Sequence, residues 1–441
     1  MADINDAKRD LLIRWIWLSL ACGAGSDAYD TLLPAFDYNA GAVYDADRDK
    51  LSEAGADGAL LAKLCDKSTA ESEAIYAQCK NEGIKLLTPL HKAYPKRLFS
   101  IKHKPLLLYC RGIVPALDNY ACIAAVGTRD MSEYGRNNAY TLAYDMAKVG
   151  AVIISGLARG VDGICHRGAL DAGGFTVAVL GCGIDRIYPS EHKTLYEEIA
   201  KNGLLISEYK PGTPPEGRNF PVRNRIISGL SDGTLVVECS EQSGAMHTAR
   251  HALSQGRDLF ALPGKVGEKN SAGVNKLIGD GAKIVTKAAD IIAVYAQTYP
   301  VTIRLDNLPR SGVTDKRRRA FVQRSERGNT DHNSYITDTA EAPKRVYTSR
   351  KSKALPADDD IADRSERAAT PAFDESTLGE SERTIYRLIT DSKSVSADEL
   401  VPSGLSMSEI ITALTLLEIK RAIRFVGGNK YIRVGGSTVS D

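Results

Sequence analysis

From Tyr120 to about Tyr295 the chain alternates apolar runs of strand length with stretches that repeat every three to four residues. The runs are 121–126, 151–154, 176–180, 204–207, 234–238 and 258–262. Short strands that are apolar on both faces, separated by helices, predict a mostly parallel, doubly wound, Rossmann-like α/β sheet with right-handed crossovers. Ahead of it, residues 1–90 read as short helices. Leu11, Leu12, Trp15, Ile16 and Leu18 form one set at helical spacing, and Leu60, Leu61, Leu64, Ile75 and Tyr76 a second. Between the sets lie Gly23 and Gly25, followed by Leu32, Leu33 and Phe36. That is the local pattern of a helix-hairpin-helix or SAM-like module, whose glycine turn serves packing or a nonspecific phosphate contact. Periodicity vanishes over 296–375, where Leu, Ile, Val and Phe number 12 of 80, too few to bury a core. It returns in 376–441 with amphipathic segments at 381–389, 396–401 and 406–419 and a hairpin pattern at 423–434, the sequence of a winged helix. The expected domains are therefore 1–90, 91–295 and 376–441, with 296–375 a disordered linker.

Composition narrows the function classes. Hydrophobic residues make up 43% and charged residues 25% of the 441, as in soluble globular proteins. The formal net charge of +2 excludes a histone-like polycation, so any nucleic-acid contact must come from local clusters of charge. One such cluster is the linker, whose densest point is Lys316-Arg317-Arg318-Arg319. The eight cysteines are scattered from Cys22 to Cys239 without a CxxC pair, which points to a reducing cytoplasm and not to a disulfide framework. The apolar stretch 11–22 is about a dozen residues and contains Arg14, whereas a membrane helix needs roughly 20.

The candidate chemistry lies on the loops that follow the strands, because the carboxyl ends of parallel strands line the ligand crevice of a doubly wound sheet. The first loop holds Gly127-Thr128-Arg129 before a helix, and the second Ser155-Gly156-Leu157-Ala158-Arg159. The third leads through Gly181-Cys182-Gly183 to Lys193. The fourth is followed by Arg223-Asn224-Arg225, and the fifth by Ser243-Gly244 at a helix start. Glycines let a ligand approach the backbone, and free helix-start N–H groups beside guanidinium groups make anion sites. Gathering Arg129, Arg159, Lys193, Arg223 and Arg225 at one mouth suits a polyanion better than a small carboxylate.

Other chemistries fit less well. The segment after the first strand lacks GxGxxG, so no dinucleotide cofactor is expected, and neither a P-loop nor a GxSxG elbow occurs. His247 and His251 stand four apart, but Thr248 occupies the place of the HExxH glutamate, so no metal is expected. Cys165-His166 has no obvious base orienter, and a small buried side chain accounts for it better than a catalytic thiol.

At these residues the sequence resembles the DNA-processing protein A family (DprA/Smf). The resemblance rests on GTRDMSEYG, IISGLARGVDGICHRGAL, GGFTVAVLGCGIDRIYPSEH, LLISEYKPGTPPEGRNFPVRNRIISGLSD, LVVECSEQSGAMHTARHALSQGRDLFALPG and SAGVNKLIGDGA, in that order. It covers residues 90–295 strongly and the terminal modules weakly. It implies a Rossmann-like domain that binds single-stranded DNA without catalysis, protects it, and helps load a RecA-type recombinase during natural transformation. It also implies a homodimer. By position, Arg129, Ser155, Gly156, Arg159, Lys193, Asn224, Arg225, Ser243 and Gly244 take the DNA-contact expectation. Thr128 stands where serine is common, and Ala245-Met246-His247 replaces a more usual Ser-Leu-Ile. The alternative is a nucleoside-monophosphate-cleaving enzyme of the LOG or lysine-decarboxylase-like group, whose PGGxGTxxE signature is absent. A small-nucleotide sensor shares the same fold.

Overall fold

The computed structural model describes residues 2–308, 321, 378–390, 395–396, 399–400, 404–420, 422–427 and 430–433. It divides into two units, Met1–Asp359 and Asp360–Asp441.

The first unit opens with six helices: α1 (Ala2–Cys22), α2 (Ala28–Thr31), α3 (Ala40–Asp45), α4 (Arg48–Glu53), α5 (Gly58–Cys65) and α6 (Ala70–Asn81). Side chains of Asn39 and Asp47 accept from the first free amides of α3 and α4, which sets where these short helices start. Trp15, Leu18, Leu33, Leu51 and Leu64 are fully buried in their shared core. In the glycine turn after α1, Gly23 and Ala24 are exposed, and the Gly25 amide donates to the Glu208 carboxylate at 3.2 Å. Gly25 has φ +78°, and a Cβ there would lie 2.8 Å from Val222 Cγ1. The Gly25 amide is therefore held by a carboxylate of the sheet domain.

A nine-stranded sheet follows: β1 (Lys85–Leu87), β2 (Leu108–Gly112), β3 (Cys122–Val126), β4 (Val152–Ser155), β5 (Thr176–Leu180), β6 (Leu204–Ser207), β7 (Gly233–Val236), β8 (Asp258–Ala261) and β9 (Lys283–Ile284). Its spatial order is β1-β2-β6-β5-β4-β3-β7-β8-β9. The strands from β3 to β9 are mutually parallel, and β1 and β2 are antiparallel additions at one edge. Alternation along β3 feeds two cores: Ile123 and Ala125 face one, and Cys122, Ala124 and Val126 the other. This is what a sheet covered on both faces requires. The helices α7 (Glu133–Lys148), α8 (Val161–Asp171), α9 (Lys193–Asn202), α10 (Asn219–Gly229), α11 (Gly244–Ser254), α12 (Lys269–Gly279) and α13 (Ala288–Tyr295) supply those covers.

Both expected boundaries of this domain shift. β1 lies inside the segment assigned to the helical module, and it pairs with β2 in the sheet. At the other end, residues 296–308, linker by composition, pack against the domain. Ile303 is buried, and the Arg304 amide donates to Val149 O at 2.8 Å. Tyr299 accepts from Arg97 Nη2 at 2.6 Å and donates to Asp232 at 2.9 Å. Farther on, Phe321 is buried and stacked on Tyr140, with ring centroids 3.8 Å apart. Residues 309–320 and 322–375, including the basic run 316–319, lie outside the described residues.

The second unit contains α14 (Glu380–Leu388), β10 (Val395–Ser396), α15 (Met407–Ile419), β11 (Ile423–Gly427) and β12 (Lys430–Arg433). The strands form an antiparallel sheet in the order β10-β12-β11. Ile385, Ile410, Leu414, Leu417 and Ile423 make its core. Ser406 and Glu409 exchange amide and side-chain hydrogen bonds at the start of α15, a capping box. Ser396 ends a strand paired with Lys430. It also exchanges amide and side-chain hydrogen bonds with Glu399, a capping box, and Glu399 and Leu400 are 3₁₀-helical, while residues 397, 398 and 401 of the expected helix over 396–401 lie outside the described residues.

Candidate nucleic-acid interface

β3 lies between β4, reached by one crossover, and β7, reached by the crossover that reverses direction across the sheet. A doubly wound sheet opens a crevice at this switch point, outside the carboxyl ends of its strands. The loops after β3 and β7 meet there: the Thr128 amide donates to Glu238 O at 2.7 Å. The buried Glu238 carboxylate accepts from the Ser132 amide at 2.9 Å and from the Ser132 hydroxyl. Ser132 in turn caps α7 by accepting from the Gly135 amide. Ser243 does the same for α11, accepting from the Ala245 amide at 3.2 Å. Helices α7, α8, α9 and α11 all follow strands, so their amino termini lie on this carboxyl-end side of the sheet, where the positive ends of their dipoles favour anions.

The ten expected contact residues divide into two kinds. Arg129, Arg159, Lys193 and Gly244 are exposed, and Asn224 and Ser243 are half-buried. Arg129 sits over the half-buried Phe220 ring, 5.6 Å from its centroid, and Tyr188 lies 5.5 Å from the same ring. Neither Arg129 nor Lys193 has a carboxylate partner among the described residues. Arg159 is different, for its guanidinium donates to Glu191. The Asn224 amide reaches Gly244 O at 3.5 Å, joining the loops around α10 and α11.

Ser155, Arg223 and Arg225 turn inward, which corrects the expectation that their side chains line the mouth. The Ser155 hydroxyl is buried and donates to Ala125 O at 2.6 Å. Arg223 is buried behind the second loop, donating to Gly156 O at 2.8 Å and to Val179 O. Burial lowers its pKa, and nearby Asp162 opposes the shift. Asp162 is itself buried and raised by desolvation, offset by Arg223 and by backbone amides such as that of Gly156 at 3.1 Å. Arg225 pairs with Glu208 at 2.6 Å, with both side chains almost wholly buried, and also donates to His103 O at 2.9 Å. Arginine supplies several donors in a fixed fork, so an apolar-flanked RNR run works equally well as internal bracing. Gly156 has no room for a side chain, because a Cβ would lie 2.6 Å from Arg223 Nη2.

Four further residues shape the mouth without having been singled out from sequence: Asp162, Glu191, His192 and Phe220. His192 is buried, and its Nδ1 lies 3.1 Å from Leu157 O. Leu157 holds φ +54°, an uncommon backbone state for a branched side chain. Their motifs were legible, but nothing in a single sequence tells a bracing carboxylate from a surface one.

The other candidate chemistries find no support in the geometry. His247 is exposed and His251 half-buried, and no group of three His, Cys, Asp or Glu among the described residues is placed to hold a metal. Cys165 is fully buried, and burial pushes its thiol well above the usual range. All eight cysteines are free, six of them buried.

The family model for DNA recombination-mediator protein A matches residues 85–296. The DNA processing protein DprA of Bacillus subtilis is 41% identical over 217 residues, 49% of this chain and 73% of that protein. The chain belongs to the DNA recombination-mediator protein A family. The crystal structure of DNA processing protein A from Streptococcus pneumoniae aligns over 63% of this chain and 97% of its own, at 30% identity and a TM-score of 0.56. For the Helicobacter pylori protein, whose single-stranded DNA binding mode has been described, the values are 49%, 97%, 35% and 0.45. The family match begins at β1 and ends just past α13, so it takes in the whole mouth. No helix among the described residues is long and apolar enough to cross a membrane.

Proposed function

We propose that this member of the recombination-mediator family binds single-stranded DNA across the carboxyl-end mouth of its sheet. The observation that carries the reading is the pair of exposed cations Arg129 and Lys193, both without carboxylate partners among the described residues, beside four helix amino termini. Phosphates are the ligands such a surface serves. On this reading Arg129, Arg159, Lys193, Asn224, Ser243 and Gly244 line the DNA path. Ser155, Gly156, Arg223 and Arg225 hold the loops that present them.

The protein then shields single strands and passes them to a RecA-type recombinase, as a homodimer in the cytoplasm, with no catalytic step and no cofactor. The helical segment 1–81 serves as a SAM-like accessory module, and the second unit as a winged helix. α15 carries Glu409 and no Lys or Arg between Met407 and Ile419, so it is a poor reader of duplex DNA. Cleavage of nucleotides is the less favoured reading, since the Glu238 carboxylate is engaged by Ser132.

Fluorescence anisotropy with single-stranded, duplex and mononucleotide competitors tests the proposal. Single strands should compete best, with affinity falling by a log–log slope of about 0.7 per phosphate neutralised. Arg129→Ala or Lys193→Ala should weaken binding to all sequences and reduce that slope by about 0.7 each. Salt-independent binding, or release of free base from a mononucleotide, overturns the reading.

A further inference from the structure

Among the cations at the mouth, Arg159 alone reaches across to the next strand-end loop for a carboxylate. Its guanidinium, with the side chain 64% exposed, donates to Glu191, whose side chain is 19% exposed. The contact bridges the loop after β4 to the segment just before α9. One residue on, the buried His192 fixes the same two segments through Leu157 O at 3.1 Å. The backbone geometry therefore does not depend on the exposed ion pair. Glu191 is held charged, its carboxyl below the usual range chiefly through the hydrogen bond from Arg159. Lys193, two residues along, has no such partner among the described residues.

We propose that Glu191 is an internal competitor for Arg159, which a phosphate must displace before that arginine can join the DNA path. This inference rests on the single-strand reading of the mouth and deepens it. Glu191 takes the Arg159 Nε, so a phosphate that seeks the two-pronged Nε–Nη edge of the guanidinium competes with the carboxylate for that donor. A phosphate delivered by a strand already anchored at Arg129 and Lys193 arrives at high local concentration and wins the exchange. Glu191 then adds repulsion near the bound strand, which speeds its release. The carboxylate thus tunes strand affinity and residence time without itself holding DNA.

The test is a double-mutant cycle on the full chain, read as affinity for a fluorescent oligothymidylate in low and moderate salt. Glu191→Gln should tighten binding about two- to five-fold, the range of an exposed ion pair, mainly through slower dissociation. Glu191→Asp, which keeps the charge, should stay closer to the parent protein. In an Arg159→Ala background the Gln substitution should lose most of its gain. Circular dichroism melts of all four proteins show that each is folded.

Weaker or unchanged binding by Glu191→Gln overturns the competitor role, because it makes the carboxylate a positioning partner for Arg159 or irrelevant to it. An equal gain with and without Arg159 also overturns it, by reducing the effect to net charge. If the parent protein fails to bind the oligonucleotide, it is the single-strand reading of the mouth that falls.

Discussion

At the scale of single residues, the arginines teach the clearest lesson. Arg129 and Arg225 both follow strands in motifs that match the family pattern, yet one is exposed and the other is buried against Glu208. Sequence located the mouth, because glycines and cations recur after successive strands. It did not separate contact from brace, since that depends on which way α10 turns its faces. His166 carries a prediction from the same buried layer. Thr176 donates its hydroxyl to Ile153 O at 2.8 Å and so accepts from His166 Nδ1 at 2.7 Å, leaving Nε2 as a bare lone pair. Burial lowers the His166 pKa to about 3 from 6.5. A folded-state pKa below the unfolded one means that acid protonates the unfolded chain first. Stability is therefore fully present above pH 6.5 and lost as pH falls toward 3, at about 1.4 kcal/mol per pH unit for one group. Urea unfolding between pH 7 and pH 5 should show this slope, with a smaller share from His192, which is lowered in the same direction. His166→Gln should flatten it by one proton's worth, and an unchanged slope would refute the assignment.

At the scale of elements, the six runs read as strands all appear as strands within two residues at either end, because buried parallel strands carry a dense apolar signal. β1, β2 and β9 escaped notice. β9 has two residues and β1 three, too short for any periodicity, and β2 ends in Arg111 and Gly112 at the antiparallel edge. The stretch 296–308 has a linker-like composition for a related reason: its few anchors, Tyr299 and Ile303, are separated by polar residues, and composition averages over both. Those anchors matter energetically. A chain ending at Tyr295 should be less stable than one ending at Leu308 by about 2–5 kcal/mol, from lost apolar burial and from Arg97 and Asp232 left short of a partner. Paired thermal melts measure the difference, and equal melting temperatures would return the segment to the linker.

At the scale of the whole molecule, the helical segment and the sheet domain are tied by the ion pairs Lys104–Asp30 and Lys210–Glu71 and by a buried polar knot. Glu208 receives both Arg225 and the Gly25 amide, so the first helices and the mouth share a brace. The second unit has its own core. On the proposed function, a chain truncated at Glu375 should keep single-strand affinity within about two-fold of the full chain, since the mouth lies wholly within residues 127–244. A ten-fold loss in the same anisotropy assay would assign the second unit a direct share in binding. The buried thiols have a practical consequence. Burial pushes the thiols of Cys110, Cys122 and Cys239 up to about 12, and only a thiolate reacts readily with maleimide. A cysteine introduced at an exposed position such as Glu197 would therefore outpace them in taking up a dye at neutral pH, turning the native protein into its own optical reporter of strand arrival.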